Sequence, residues 1–261
     1  MVYQTEILKE RSERVNDDAV IKITGLYKSF GKNNVLVDFN MELYRGENLI
    51  VLGKSGSGKS VLIKCIIGLI KPDRGEIKVF NADVSKLNSH ELDKLRIKIG
   101  FLFQSNALYD SMTVRQNLEF PLRRHGLQQT KEEVDELVME VLENVGLAHT
   151  VDMMPAELSG GMKKRIALAR TLILKPEIML YDEPTTGLDA ITGDEIIELM
   201  GEVQQKYNTS SIIITHDMKC VKKLSNRMII LFDGKAYAVG TFDELRKSDD
   251  PNIIKFFKTI L

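Results

Sequence analysis

Residues 53 to 60 read Gly53-Lys54-Ser55-Gly56-Ser57-Gly58-Lys59-Ser60, a G-x-x-x-x-G-K-[ST] run without a gap. Such a run binds phosphate. Its glycines let successive backbone N–H groups converge on phosphate oxygens at a helix N-terminus, where the dipole already favours negative charge. Lys59 would reach the β- and γ-phosphates of a nucleotide, Ser60 would offer its hydroxyl to Mg²⁺, and Val61 would open the helix behind the loop. A second constellation is Asp182-Glu183, two adjacent carboxylates after the apolar run Ile178-Met179-Leu180-Tyr181. Asp182 suits metal coordination, usually through water, and Glu183 suits polarising a water at the γ-phosphate. The alternative reading of the pair is a solvated acidic turn before Pro184. His216 directly follows the apolar run Ser211 to Thr215, so it could touch the γ-phosphate or serve as a cap or satisfied polar group.

These side chains need a sheet to hold them. Asn48 to Leu52 is short, apolar and bounded by Gly46 and Gly53, which predicts a buried strand before the phosphate loop, and a helical pattern runs from Val61 to Leu69. Ile99 to Phe103, Ile178 to Tyr181 and Ser211 to Thr215 are further short apolar runs of the kind found in a parallel sheet covered on both faces. Ahead of them, Ile21-Lys22-Ile23 and Val35 to Leu43 read as antiparallel strands around the turn Phe30-Gly31-Lys32-Asn33-Asn34. Helix-period segments Thr113 to Arg124, Lys131 to Val145 and Gly160 to Leu174 predict a helical subdomain inserted at about 105–174. Asp233-Gly234 between Ile229–Phe232 and Lys235–Val239 is a hairpin signal. The expected fold is therefore α/β, a mixed sheet core with an antiparallel β subdomain and an inserted helical subdomain.

The chain has 261 residues, a net charge of -1 and 28% charged residues, so no global basic field points to nucleic acid as a primary partner. Its two cysteines, Cys65 and Cys220, lie in helical patterns without metal-type spacing and read as small buried apolar residues in a reducing compartment. No apolar run approaches the roughly 20 residues of a membrane span. Residues 1–19 mix acidic and basic side chains and lack the layout of a secretory signal, which predicts a mobile or surface-helical extension. The expected organisation is this extension, a main domain over 20–248 and a tail over 249–261. In the tail, Ile253, Phe256, Phe257 and Ile260 recur at helical spacing, so a short helix must dock its apolar stripe, either on its own domain or on a partner.

Gly53 to Ser60, Gln104 after the strand ending at Phe103, Leu158-Ser159-Gly160-Gly161-Met162, Asp182-Glu183, Gly187-Leu188-Asp189 and His216 occur in an order that resembles the ABC-transporter ATPases, over roughly residues 20 to 245. The resemblance implies a P-loop NTPase fold, ATP and Mg²⁺ as cofactors, and a head-to-tail homodimer. Each ATP would lie between one phosphate loop and the partner's Ser159-Gly160-Gly161, where glycine N–H groups at a helix start suit phosphate and Ser159 is a good N-cap. It further implies that Phe30 stacks on adenine, that Gln104 links Mg²⁺ and the attacking water to the helical subdomain, and that Asp189 couples the two sites. The residues themselves leave other readings open: Phe30 as core, Gln104 and Asp189 as turn residues. Where most of the family carries Gln after Leu-Ser-Gly-Gly, this chain has Met162, which removes an amide and leaves the backbone donors intact.

Met162 followed by Lys163-Lys164-Arg165, together with Phe103 to Val114, is similar to the ATPase subunits of Mla-type phospholipid transporters, as is the tail Asp250-Pro251-Asn252 with Phe256-Phe257. That branch implies a membrane permease of the MlaE type and an MCE-domain substrate-binding protein of the MlaD type. It implies a place on the cytoplasmic face of the inner membrane and lipid as cargo. The basic triplet by itself reads as a solvated helix face. An ATPase of an amino-acid or metal-ion importer would share every nucleotide residue, and a non-transport ABC ATPase is the remote alternative.

Overall fold

The computed structural model describes residues 19–126 and 129–260, with Thr259 and Ile260 described by their backbone alone. The expected extension therefore lies outside the described residues as far as position 18, and Ala19 already belongs to the first strand. Two sheets carry the fold. The smaller one is antiparallel, in the order β2-β1-β4-β5, and comprises β1 (Ala19–Phe30), β2 (Asn33–Tyr44), β4 (Arg74–Val79) and β5 (Ala82–Asp83). In β1 only Ile21 to Ile23 shows clean alternation, because Gly25 (φ 55°) interrupts the ladder with a register shift between Ile23 and Leu26.

The larger sheet has the order β10-β9-β3-β8-β7-β6, and every neighbouring pair is parallel except β9 with β10. It contains β3 (Asn48–Gly53), β6 (Ile99–Leu102), β7 (Ile178–Asp182), β8 (Ser210–Ile214), β9 (Arg227–Phe232) and β10 (Lys235–Gly240). Its central strands β3, β8 and β7 are buried on both faces and mostly apolar, whereas the edge strand β10 exposes Lys235 and Val239. Ile50, Leu52, Met179, Tyr181 and Ile213 face a core shared with the helical part, whereas Leu49, Val51, Leu180, Ile212 and Ile214 face the antiparallel sheet. Asp233 and Gly234, at φ 48° and 75°, form the tight turn that the hairpin signal predicts.

The first helix, α1 (Lys59–Ile66), follows the phosphate loop and ends three residues before the periodicity suggests. It is joined by α2 (Ser89–Ile97), α3 (Val114–Arg124), α4 (Lys131–Asn144), α5 (Gly160–Leu172), α6 (Ala190–Tyr207), α7 (Met218–Leu224), α8 (Phe242–Arg246) and α9 (Pro251–Ile260). Helices α3 to α5 lie between β6 and β7 in sequence. Thr113 with Gln116 and Thr130 with Glu133 form capping boxes that start α3 and α4, each contributing about 1 kcal/mol.

The tail helix α9 docks on its own domain. Ile253, Phe256 and Phe257 are buried in the larger core, Phe257 sits edge-on to Phe242 with centroids 5.9 Å apart, and Tyr237 donates its hydroxyl to Asp250 (2.9 Å). Both cysteines are buried, and among the described residues no helix is long and apolar enough to cross a membrane.

Candidate functional site

Strands β3, β8, β7 and β6 run parallel, so Gly53, Ile214, Asp182 and Leu102 all end at one edge of the sheet, where ligands of open α/β sheets gather. The phosphate loop leaves β3 there. Gly56 and Gly58 hold left-handed φ values of 76° and 103°, and a Cβ on Gly58 would lie 2.6 Å from Val35 Cγ1. Ser57 and Gly58 pack the loop inward while Lys54, Ser55 and Gly56 stand exposed at its rim. The Ser57 hydroxyl is buried without a partner. Lys59 Nζ folds back to donate to the carbonyls of Gly53 (2.8 Å) and Lys54 (3.0 Å). Burial pulls the Lys59 ammonium below its usual range, while Glu183 and Asp182 oppose that shift. A cradle of exposed backbone with a partly desolvated lysine fits a polyphosphate, whose charge would replace the lost solvation.

Ser60 Oγ donates to Asp182 Oδ1 at 3.0 Å, which sets a hydroxyl and a carboxylate side by side at the mouth of the loop. That hard-oxygen pair fits Mg²⁺, an ion that takes few protein ligands and completes its shell with water and phosphate oxygens. The next residue, Glu183, is placed by a left-handed backbone (φ 51°) and an N–H bond to Ile214 of β8 (2.9 Å). His216 Nδ1 lies 2.8 Å from Glu183 Oε2, and the ring itself is exposed. Thr185 donates its hydroxyl to Asp217 (3.1 Å), a tie between the β7 and β8 loops that sequence reasoning missed.

Gln104 leaves β6 at the sheet edge with an exposed side chain. The segment after it is held by groups that the sequence hides. Asn117 on α3 is fully buried: its amide donates to the carbonyls of Tyr109, Met112 and Thr113 and accepts from the Tyr109 N–H. Its signal is an amide at an apolar position of the stripe Val114, Leu118, Leu122. Lys164 corrects the expected solvated face of the basic triplet, because it is only 1% exposed and donates to the carbonyls of Gln104 (3.0 Å) and Phe103 (3.5 Å).

Ser159 caps α5 by accepting from the Met162 N–H (3.2 Å), and Ser159 and Gly160 are exposed. A Cβ on Gly161 would meet Thr192 Cγ2 at 2.5 Å, while Asp189 caps α6 and accepts from the Thr192 hydroxyl (2.6 Å). The structure thus joins Ser60 to Asp182 and Glu183 to His216, and it places Ser159–Gly161 beside the Asp189 segment instead of at the phosphate loop. Phe30, at the tip of the β1–β2 hairpin, is half exposed and not core, with Lys28 Nζ 5.3 Å from its ring centroid.

The family described as ABC transporter matches residues 36–186. The chain is 37% identical over 236 residues to the probable ribonucleotide transport ATP-binding protein mkl of Mycobacterium leprae, covering 90% of this chain and 68% of that one. It is 34% identical over 239 residues to the intermembrane phospholipid transport system ATP-binding protein MlaF of Haemophilus influenzae, covering 92% and 90%. A methionine import ATP-binding protein of Campylobacter jejuni is similar at 38% over 241 residues, covering 87% and 72%. Among solved structures, the dimeric bacterial ABC transporter cassette MJ0796 aligns with a TM-score of 0.78 at 32% identity, over 85% of this chain and 98% of that one. With that match of sequence and shape laid over the sheet edge just described, the chain belongs to the ABC transporter family and is an ATP-hydrolysing cassette.

Proposed function

We propose that this chain powers lipid transport between membranes as the ATPase subunit of an Mla-type system. Two copies would pair head to tail beneath a membrane permease, on the cytoplasmic face of the inner membrane, with an MCE-domain protein binding the lipid. The observation that carries the catalytic part is the joint geometry at the sheet edge, Ser60 on Asp182 and Glu183 on His216. The lipid part is supported by the match to a phospholipid transport ATPase along nearly the whole of both chains, together with Met162 in the Leu-Ser-Gly-Gly run.

Lys59 and the amides of residues 53–60 would bind the β- and γ-phosphates, and Phe30 would stack on the adenine. Ser60 and Asp182 would hold Mg²⁺, with Gln104 reaching it from the β6 end. The ion, when bound, neutralises phosphoryl charge. Glu183, oriented by His216, positions a water in line and takes its proton as the water oxygen bonds to the γ-phosphorus and the bond to the ADP oxygen breaks. Ser159, Gly160 and Gly161 would complete the partner's site, and Asp189 would transmit between sites.

Glu183→Gln tests this reading. We expect MgATP affinity to hold and turnover to fall about 10²- to 10⁴-fold, with the variant accumulating as an ATP-held dimer. Hydrolysis at the wild-type rate would overturn the role of Glu183. Lipid transfer between vesicles by the reconstituted complex tests the cargo. The similarity to a methionine import protein favours a second reading, an amino-acid importer, and ATPase stimulation by a periplasmic binding protein and not by lipid would select it.

A further inference from the structure

Lys164 sits one turn into α5, four residues after Gly160, and its ammonium grips the two peptide links that flank Gln104. A buried cation held by backbone carbonyls is costly to retain for packing alone, since a methionine would fill the same volume. The segment it holds is under conformational load: Asn106 and Ala107 are consecutive left-handed residues, at φ 61° and 54°. Asn117 fixes that segment at Tyr109 and beyond, and at its start Lys164 adds a side-chain tether to the local turn in which the Asn106 N–H donates to Phe103 (3.3 Å).

We propose that Lys164 is a positioning residue that locks Gln104 to the helix carrying Ser159-Gly160-Gly161, so that displacement of that helix is registered directly at Gln104. One helical turn then spans the distance between the groups that would meet the partner's nucleotide and the loop that would order metal and water in this subunit's own site. The inference rests on the roles given above to Gln104 and to Ser159–Gly161. It needs no substitution of any residue that touches ATP.

The test is Lys164→Met in the full chain. Hydrogen exchange of the nucleotide-free protein should quicken about tenfold in peptides covering residues 103–109 while β3 and β8 keep their protection. Calorimetry should give MgATP affinity within about twofold of wild type, and kcat should fall about tenfold with KM unchanged. Lys164→Gln keeps a donor without the charge, and is expected to give a smaller acceleration of the same peptides if the Met variant does not fold. Unchanged exchange at 103–109 in either variant would overturn the proposal. So would exchange raised equally across the sheet with a falling melting temperature, which would make Lys164 ordinary core. A wild-type chain without ATPase activity would overturn the proposed function instead, and the exchange result would still decide the tether.

Discussion

The phosphate loop and the Gln104 loop leave the same edge of one sheet, from β3 and β6 with β8 and β7 between them, yet they are held by different means. The first is shaped by its own backbone: left-handed glycines, a helix start, and Val35 pressed so close to Gly58 that no side chain fits. The second has no glycine, and besides its own short turns at Asn106 and Ala107 it is held from outside, by Lys164 on α5 and Asn117 on α3. A loop built from backbone is rigid before its ligand arrives, as a charge-binding cradle must be. A loop built from borrowed contacts answers to the element that lends them, as a coupling device must.

Substitutions can break or sharpen this contrast. The largest effect is expected for Gly58→Ala, whose Cβ would lie 2.6 Å from Val35 Cγ1 and 2.9 Å from its carbonyl in a left-handed backbone. Stability should fall by about 3 kcal/mol and MgATP affinity about a hundredfold, read by denaturation and calorimetry. Next is Asn117→Ala, which strands the carbonyls of Tyr109 and Met112 and the Tyr109 N–H. It should cost about 2–3 kcal/mol with nucleotide affinity unchanged. If affinity fell with it, the two loops would share one support and the contrast would fail.

The smallest effect concerns acid. Hydrogen bonds from Lys86 to Asp83, Thr192 to Asp189 and Tyr237 to Asp250 hold these carboxyls below the usual carboxylate range. The native state then binds fewer protons than the unfolded chain, so their contribution is complete above that range and lost as pH falls through the lowered native values, below about pH 4. Melting temperature should decline there, and exchange should quicken at the α6 start before either loop. Equal loosening of the phosphate loop would show that acid acts through that loop instead.

The same contrast explains what could be read from the chain alone. A backbone requirement appears as residue type, so Gly53 to Ser60, the Asp233-Gly234 turn and the cap at Ser159 were legible. Apolar runs buried on both faces placed the ends of β3, β7 and β8, and with them Asp182, Glu183 and His216. A side chain crossing 60 positions to a carbonyl leaves no local trace, so Lys164 looked like one more solvated base. Strands β4 and β5 were missed because their turn, Phe80-Asn81, places a bulky aromatic at φ 47°, a residue that ordinary turn signals exclude. The tail's stripe was plain, but its docking surface, Phe242 and Tyr237, is assembled only in three dimensions.

Glu183 sits at φ 51°, a backbone state that costs a non-glycine residue about 1–2 kcal/mol. Glycine or asparagine would relieve that cost, and both remove the carboxylate that the His216 ring meets. The residue therefore stands where fitness and robustness pull apart. Laboratory evolution that rewards only heat resistance would be drawn to position 183 and, with the role proposed for Glu183, would reach a sturdier chain that no longer turns over.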